Sequence, residues 1–160
     1  MTQTSTSTDF GTPLWLVPLL GLLAGAAHAA AWHFIPMPTV AGAISFAAIL
    51  LLWIMISGTR GSRGSAIGVA LLTGVFAIAA SWALWLVLVF GLGGLRETLN
   101  FGGVSAVMEW VGLYLDQFDA TVSRRSQSMS VDGDELRVLW MIMAGIWIIA
   151  PLGGALFRKT

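Results

Sequence analysis

Residues 65–95 read SAIGVALLTGVFAIAASWALWLVLVFGLGGL, a continuous apolar stretch without a charged side chain. A helix rises about 1.5 Å per residue, so roughly 20 such residues cross the hydrocarbon layer of a membrane, which is about 30 Å thick. Every backbone N–H and C=O inside that layer must be paired within the chain, and a continuous helix achieves this. The stretch therefore predicts a transmembrane helix.

The composition of the whole chain is typical of a membrane protein. Of its 160 residues, 57% are hydrophobic and 10% are charged, whereas soluble domains carry about 25% charged residues. Eight basic and eight acidic residues give a formal net charge of zero, which provides no electrostatic attraction to nucleic acid. Because the chain has no cysteine, disulfides, thiolate metal sites and thiol redox chemistry are excluded.

Three further segments are long and apolar enough to cross a membrane, so the sequence predicts four spans. Prolines 36 and 38 separate the first two spans, and a link containing glycine and arginine separates the second from the third. The chain is thus predicted to be an all-α integral membrane protein with a single transmembrane domain over 13–157, preceded by a polar tail over 1–12. The predicted spans run over about 13–35, 39–56, 65–95 and 136–157.

Residues 96–135 form the one long segment outside the predicted spans. Within this third loop, apolar residues recur at helical spacing over 104–118 and predict an amphipathic helix. Trp110 and Tyr114 flank its apolar face, where amphipathic rings suit a membrane interface. The helix is therefore expected to lie in the interface, with packing on a partner subunit or a role as a substrate-gating flap as the alternatives.

The remainder of this loop is polar. Residues 121–133 are small and polar and predict a flexible loop. Asp134 and Glu135 follow directly before the fourth span, where acidic side chains favour the positive end of a helix.

Small residues at helical spacing mark faces on which helices can approach closely in lipid. Most such faces serve as contacts within a bundle, but their abundance in a chain with 19 glycines suggests that some meet another polypeptide. Together with the amphipathic helix, they supply the predicted partner contacts. These residues are Gly21, Gly25, Ala70, Gly74, Val107, Trp110, Val111 and Tyr114.

Histidines 28 and 33 are notable because the four predicted spans contain no Asp or Glu, and ionisable groups at membrane depth are candidates for function. The pattern Ala24-x-x-x-His28-x-x-x-Trp32 resembles the pigment-ligating pattern of bacterial light-harvesting antenna polypeptides. That resemblance implies that His28 is the axial ligand of a haem or bacteriochlorophyll and that Trp32 is a hydrogen-bond donor beside it. The alternative is that His28 hydrogen-bonds a neighbouring helix while His33 faces the interface.

The eight tryptophans are expected to act mainly as interfacial anchors, because indole rings suit the boundary between lipid and water. Those nearest the ends of the predicted spans are Trp15, Trp32, Trp53 and Trp140. Those placed deeper are Trp82, Trp85 and Trp147, which are expected to pack within the bundle or against lipid.

The sequence contains no recognisable set of nucleophile, base and orienting group, no metal triad and no phosphate loop, so a non-catalytic protein is expected. The leading hypothesis is a membrane subunit or scaffold that packs against a larger complex, with lipids and other membrane subunits or copies of itself as partners. Two alternatives remain, a haem- or bacteriochlorophyll-binding subunit using His28 and a small oligomeric transporter or pore.

The expected location is the bacterial inner (cytoplasmic) membrane. Short segments rich in arginine and lysine tend to remain on the cytoplasmic side. Arg60 and Arg63 lie in the link between the second and third spans, and Arg158 and Lys159 lie in the C-terminal tail. Both termini are therefore expected in the cytoplasm.

Overall fold

The computed structural model describes residue 13 and residues 15–35, 38–59, 62–125 and 133–157. Almost all of these residues lie in four helices, and no strand occurs among them. The helices are α1 (Leu16–Phe34), α2 (Pro38–Ser57), α3 (Arg63–Arg125) and α4 (Gly133–Leu156). Each contains a segment long and apolar enough to cross a membrane, as the sequence predicts.

Helices α1 and α4 each pack against both α2 and α3, so the order around the bundle is α1, α2, α4, α3. One apolar cluster joins the start of α1 and of α3 to the end of α2 and of α4, which shows that successive helices alternate in direction. At the same end, Arg63 Nη2 donates a hydrogen bond to the carbonyl of Leu156 at 3.3 Å. This places a cation on the negative end of α4. The members of the cluster are Val17, Ile56, Ala66, Ala70 and Ala155.

Helix α3 is broken twice, at Gly91 (φ 72°, ψ 157°) and at Gly103 (φ 63°, ψ −155°). This region of backbone conformation is essentially restricted to glycine. The breaks divide the helix into α3a (63–90), α3b (92–102) and α3c (104–125). The first break therefore falls within the predicted third span of 65–95, and residues beyond Gly91 are again helical.

Segment α3c folds back against α3a. The ring of Phe90 lies 5.6 Å from that of Trp110 and 6.1 Å from that of Tyr114, and the ring of Trp85 lies 5.5 Å from that of Tyr114. A further tie is the ion pair between Arg137 Nη2 and Asp116 Oδ1, at 3.6 Å. The two glycine breaks thus return the chain to the bundle before α4 begins.

The amphipathic pattern of 104–118 corresponds to α3c, which begins directly after Gly103. Val107, Val111 and Leu115 are buried on its inner face, whereas Val104 and Met108 are exposed. The side chain of Phe118, which also belongs to the predicted apolar face, lies outside the described residues.

The prediction of a flexible loop from Thr121 onwards is wrong for its first five residues, because the backbone is helical through Arg125. No glycine or proline occurs between 113 and 132 to end a helix. Residues 126–132 lie outside the described part of the chain, and Gly133 already belongs to α4. Asp134 and Glu135 lie in the first turn of α4, as predicted.

Candidate functional site

A cavity of about 460 Å³ opens between α1, α3 and α4, in the half of the bundle away from the Arg63–Leu156 contact. Five tryptophans, two histidines and a tyrosine contribute to its wall. The complete lining is His28, Ala29, Trp32, His33, Ile78, Ser81, Trp82, Trp85, Tyr114, Leu136, Leu139, Trp140, Met143, Ala144 and Trp147.

Each of the three helices supplies one face to this cavity. The α3a residues 78, 81, 82 and 85 and the α4 residues 136, 139, 140, 143, 144 and 147 follow the spacing of three and four that places side chains on one side of a helix. From Leu136 to Trp147 the helix rises about 16 Å. The cavity is therefore elongated along the bundle and follows the axis of α4.

Three indole rings form the centre of the aromatic wall. The ring of Trp140 lies 5.1 Å from that of Trp82 and 5.0 Å from that of Trp85, and the latter two rings are 6.0 Å apart. All three pairs meet edge to face, an arrangement that aromatic quadrupoles favour. The three rings therefore form one continuous aromatic surface.

At the inner end of the cavity, His28 belongs to a hydrogen-bonded group centred on Ser45 of α2. The distance from His28 Nδ1 to Ser45 Oγ is 2.7 Å, and Trp32 Nε1 donates to the same oxygen at 3.3 Å. The hydroxyl of Ser45 donates to the carbonyl of Ala41 at 2.9 Å. His28 thus hydrogen-bonds a neighbouring helix, which is one of the two predicted roles.

The direction of the contact between Ser45 and His28 depends on where the Ser45 hydroxyl places its proton. A serine hydroxyl has one proton and two acceptor lone pairs. When its proton goes to Ala41, both lone pairs accept, one from Trp32 and one from His28 Nδ1–H. In a neutral imidazole the other nitrogen, Nε2, is then an acceptor, and no described residue donates a hydrogen bond to it.

Trp147 lies beside His28, with the two ring centroids 5.7 Å apart in a T-shaped arrangement. Trp147 is only 2% exposed, and its Nε1–H is buried without a hydrogen-bond partner among the described residues. A buried indole N–H usually finds an acceptor. Trp147 thus packs edge to face against His28, and its indole N–H is enclosed without a partner among the described residues.

The outer end of the cavity is more polar. Tyr114 contributes to the wall there, and Arg137 is paired both with Asp116 of α3c and with Asp134 at 3.0 Å. His33 is exposed, and its ring contacts that of Phe34 at 4.8 Å. The ion-paired groups therefore lie near the start of α4, which borders the cavity, whereas none of the described residues that line the cavity is Asp, Glu, Lys or Arg.

The small residues predicted as partner contacts lie against the chain's own helices. A Cβ atom at Gly21 would lie 2.6 Å from the Thr73 carbonyl oxygen, and one at Gly74 would lie 2.7 Å from that of Trp147. Gly25 is in contact with the backbone of Ala77. Since Ala70 also belongs to the buried cluster at the arginine end, these four positions are covered within the chain.

The predicted contacts on α3c differ in exposure. Val107 and Val111 are buried, Tyr114 lines the cavity, and Trp110 keeps a substantial exposed surface beside Phe90. Of the predicted partner contacts, Trp110 is thus the most accessible to another molecule.

Sequence reasoning identified His28 and Trp32 but missed other residues at the site. Trp82 and Trp85 pack in the bundle against Trp140, which is one of the two roles predicted for them. The sequence does not indicate that these three residues also line a cavity. No sequence pattern distinguishes Ser45, because its contact with His28 depends on how α2 packs against α1. The spacing of Trp82 and Trp85 does indicate a shared helix face.

No group of three or more potential metal-ligating side chains occurs among the described residues. No protein-family model, curated protein or solved structure matches this chain.

Proposed function

We propose that the chain is a non-catalytic membrane subunit that binds a flat, apolar ligand in the tryptophan-lined cavity. The observation that carries this proposal is the cavity itself, which brings five tryptophans from three helices around one space. Small-molecule sites typically occupy about 300–1,000 Å³ and combine apolar walls with a few polar groups. A volume of about 460 Å³ and a mostly apolar wall with two histidines, a serine and a tyrosine match that description.

Energy transfer from tryptophan to a pyrene probe tests this proposal, because the donors line the site. Purified protein in lipid nanodiscs is titrated with 1-methylpyrene, and saturable quenching of tryptophan emission is expected above the signal from partition into lipid. Ala144→Phe fills the cavity and is expected to remove the saturable component. Ala83→Phe makes the same substitution on an exposed position of α3a and should leave it unchanged. Equal quenching in both variants would contradict the proposal.

A second candidate is a haem- or bacteriochlorophyll-binding subunit, and the contact between His28 and Ser45 favours it. Histidines that bind a metal commonly donate their other ring N–H to a fixed acceptor, and His28 Nδ1 has such an acceptor at 2.7 Å. A single imidazole would suffice to hold such a group, because the macrocycle itself supplies the other ligands of its metal. Protein purified from its native membrane would show a Soret or far-red absorption band that His28→Ala abolishes.

The subunit is proposed to lie in the bacterial inner membrane with both termini in the cytoplasm. Arg63 and the end of α4 share one end of the bundle, and short segments with arginine favour the cytoplasmic side. The cavity then lies in the half of the bundle nearer the opposite face, with α3c at the interface beside it. Exposed Trp110 offers a contact for another membrane subunit, which native mass measurement after mild extraction tests through the mass of the complex.

A further inference from the structure

We infer that the tryptophan-lined cavity opens sideways to lipid, between α2 and α4, and that its ligand is an uncharged molecule dissolved in the membrane. The inference rests on the proposed binding function and adds the route and the chemical class of the ligand. It depends on which sides of the cavity are closed by helix contacts, on the exposed wall residues at the remaining side, and on the residue types of the described lining.

Contacts between helices close the two sides of the cavity that α3a borders. The bundle order α1, α2, α4, α3 gives the cavity four sides on which it could open. Between α3a and α4, the ring of Trp140 contacts those of Trp82 and Trp85. Between α1 and α3a, a Cβ atom at Gly25 would overlap the backbone of Ala77. An opening on either of these sides would require the helices to separate.

The side between α1 and α2 is closed by polar contacts. His28 Nδ1 and Trp32 Nε1 of α1 lie 2.7 and 3.3 Å from Ser45 Oγ of α2. The fourth side lies between α2 and α4, and none of the described residues that line the cavity comes from α2. The wall is therefore incomplete on this side.

The face that α4 presents to α2 shows where the wall is interrupted. Near the arginine-containing end of the bundle, Gly153 of α4 packs against the ring of Trp53 of α2. Leu139 lies about four helical turns before Gly153, and therefore on nearly the same side of α4. Leu139 lines the cavity and is nevertheless 43% exposed. Helix α2 thus covers this face of α4 at Gly153 and leaves it open at Leu139.

Trp32 forms the opposite edge of this opening. Its contact with Ser45 shows that its side chain is directed towards α2. Like Leu139, it lines the cavity and is 43% exposed. Two large side chains that face α2, one from α1 and one from α4, therefore belong both to the cavity wall and to the surface of the bundle.

The two edge residues lie at about the same height in the bundle. Helices α1 and α3 run in the same direction with Gly25 beside Ala77, and α3 and α4 run in opposite directions with Gly74 beside Trp147. At 1.5 Å per residue, these contacts place the two edges within about 3 Å of each other along the bundle axis. Both edges belong to helices that are long and apolar enough to cross a membrane. The opening therefore faces lipid.

The lining determines which molecules of the membrane fit. None of the described lining residues is Asp, Glu, Lys or Arg. A charged ligand would thus lose its hydration without gaining a partner of opposite charge, which is costly in apolar surroundings. An uncharged molecule that dissolves in lipid meets no such penalty, and the indole rings contact its apolar surface.

A pyrene ring that cannot leave the bilayer tests the route. Phosphatidylcholine with pyrene at the end of a hexanoyl or a decanoyl chain is incorporated at increasing mole fractions into nanodiscs that contain the protein. The signal is tryptophan quenching, from which the quenching in Ala144→Phe is subtracted because that variant fills the cavity. The two chain lengths place the ring at two depths. A saturable difference is expected for at least one of them.

Alkylation of a single cysteine tests the position of the opening, since the chain has no cysteine of its own. Leu139→Cys is compared before and after reaction with N-cyclohexylmaleimide, and the reaction is expected to remove the saturable quenching by the phospholipid probe. Met141→Cys is the matched control, because Met141 is a 66% exposed residue of α4 outside the lining. Its alkylation should have no effect. Equal effects at both positions, or none at Leu139→Cys, would contradict the assigned opening.

The results distinguish the route from the binding function on which it rests. Saturable quenching by free 1-methylpyrene but by neither phospholipid overturns the opening to lipid and leaves the cavity as a binding site reached from water. Absence of saturable quenching with every probe overturns both.

Discussion

Gly25 shows how closely α1 and α3 approach, because a Cβ atom at this position would overlap the backbone of Ala77. In lipid, helices associate mainly through such close packing. Because the surrounding lipid is itself apolar, burying apolar surface between helices gives no hydrophobic free energy. Gly25→Ala is expected to separate the two helices and to lower the free energy of unfolding by about 1–3 kcal/mol, the range for overpacked sites. Steric-trapping measurements in bicelles would give the change.

Gly68 provides the matched control for that substitution. It also lies in a helix, but nothing lies within 4 Å of a Cβ atom built there. Gly68→Ala should leave stability unchanged or slightly higher, because alanine favours helix more than glycine does. An equal loss of stability in Gly25→Ala and Gly68→Ala would show that the close approach of α1 and α3 does not explain the requirement for glycine at position 25.

At the scale of single residues, the sequence identifies important positions more reliably than it identifies the residues that those positions contact. The small residues at 21, 25, 70 and 74 follow a recognisable spacing, yet which helix they face depends on the order of the bundle. The hydrogen bond of His28 to a neighbouring helix could be predicted because a buried imidazole needs a partner. Ser45 could not be selected from among the other serines, because the relative rotation of α1 and α2 decides the contact.

Among the elements, α3 depends most on two glycines. Gly91 adopts φ 72° and ψ 157°, a conformation that costs a residue with a Cβ atom about 1–3 kcal/mol. Gly91→Ala is therefore expected to extend the helix through the break and to move α3c away from α3a. Because the chain has no cysteine, spin labels at Val75→Cys and Met108→Cys would report this movement as a longer or broader distance distribution.

Gly93→Ala is the control for the break at Gly91. Gly93 has a helical conformation and open space around its Cβ position, so the distance between the two labels should remain that of the wild type. A similar change in both variants would mean that the substitution acts through helix propensity in α3b rather than through the break.

The inner face of α3c supports a second prediction about this element. Leu115 is 2% exposed and Leu113 is 55% exposed, although both lie in the same helix. Leu115→Ala is expected to reduce stability by about 2 kcal/mol or more, as large-to-small changes in a core do. Leu113→Ala should have little effect. Thermal unfolding followed by circular dichroism in the same detergent compares the two, and equal shifts would place α3c outside the packed core.

The positions of the elements were largely predictable from hydropathy, and the fold-back was not. The run over 65–95 contains three glycines near its end, yet Gly93 and Gly94 remain helical while Gly91 breaks the helix. Their conformations depend on the contacts of Phe90 with Trp110 and Tyr114. Those contacts join residues on opposite sides of α3b, which no local pattern encodes.

For the whole molecule, α3a and α4 are longer than α1 and α2. Helices α1 and α2 contain 19 and 20 residues, about the thickness of the hydrocarbon layer. From Arg63 to Phe90, α3a spans about 40 Å, and the 24 residues of α4 span about 36 Å. The longer pair therefore projects beyond α1 and α2 at one end, where α3c packs against it and tryptophans enclose a space.

The arrangement of the bundle also predicts the sides on which labels react. Ser62 lies at the start of α3 and Phe157 at the end of α4, next to the Arg63–Leu156 contact, whereas Glu135 lies at the opposite end of α4. Single cysteines at 62 and 157 should react with a membrane-impermeant maleimide only after cells are opened, because the arginine-containing end is proposed to be cytoplasmic. A cysteine at 135 should react in intact spheroplasts. If the cysteines at 62 and 135 react from the same side, α4 does not traverse the membrane and the number of crossings is different. If all three cysteines react from the sides opposite to those expected, the bundle is preserved and its orientation is inverted.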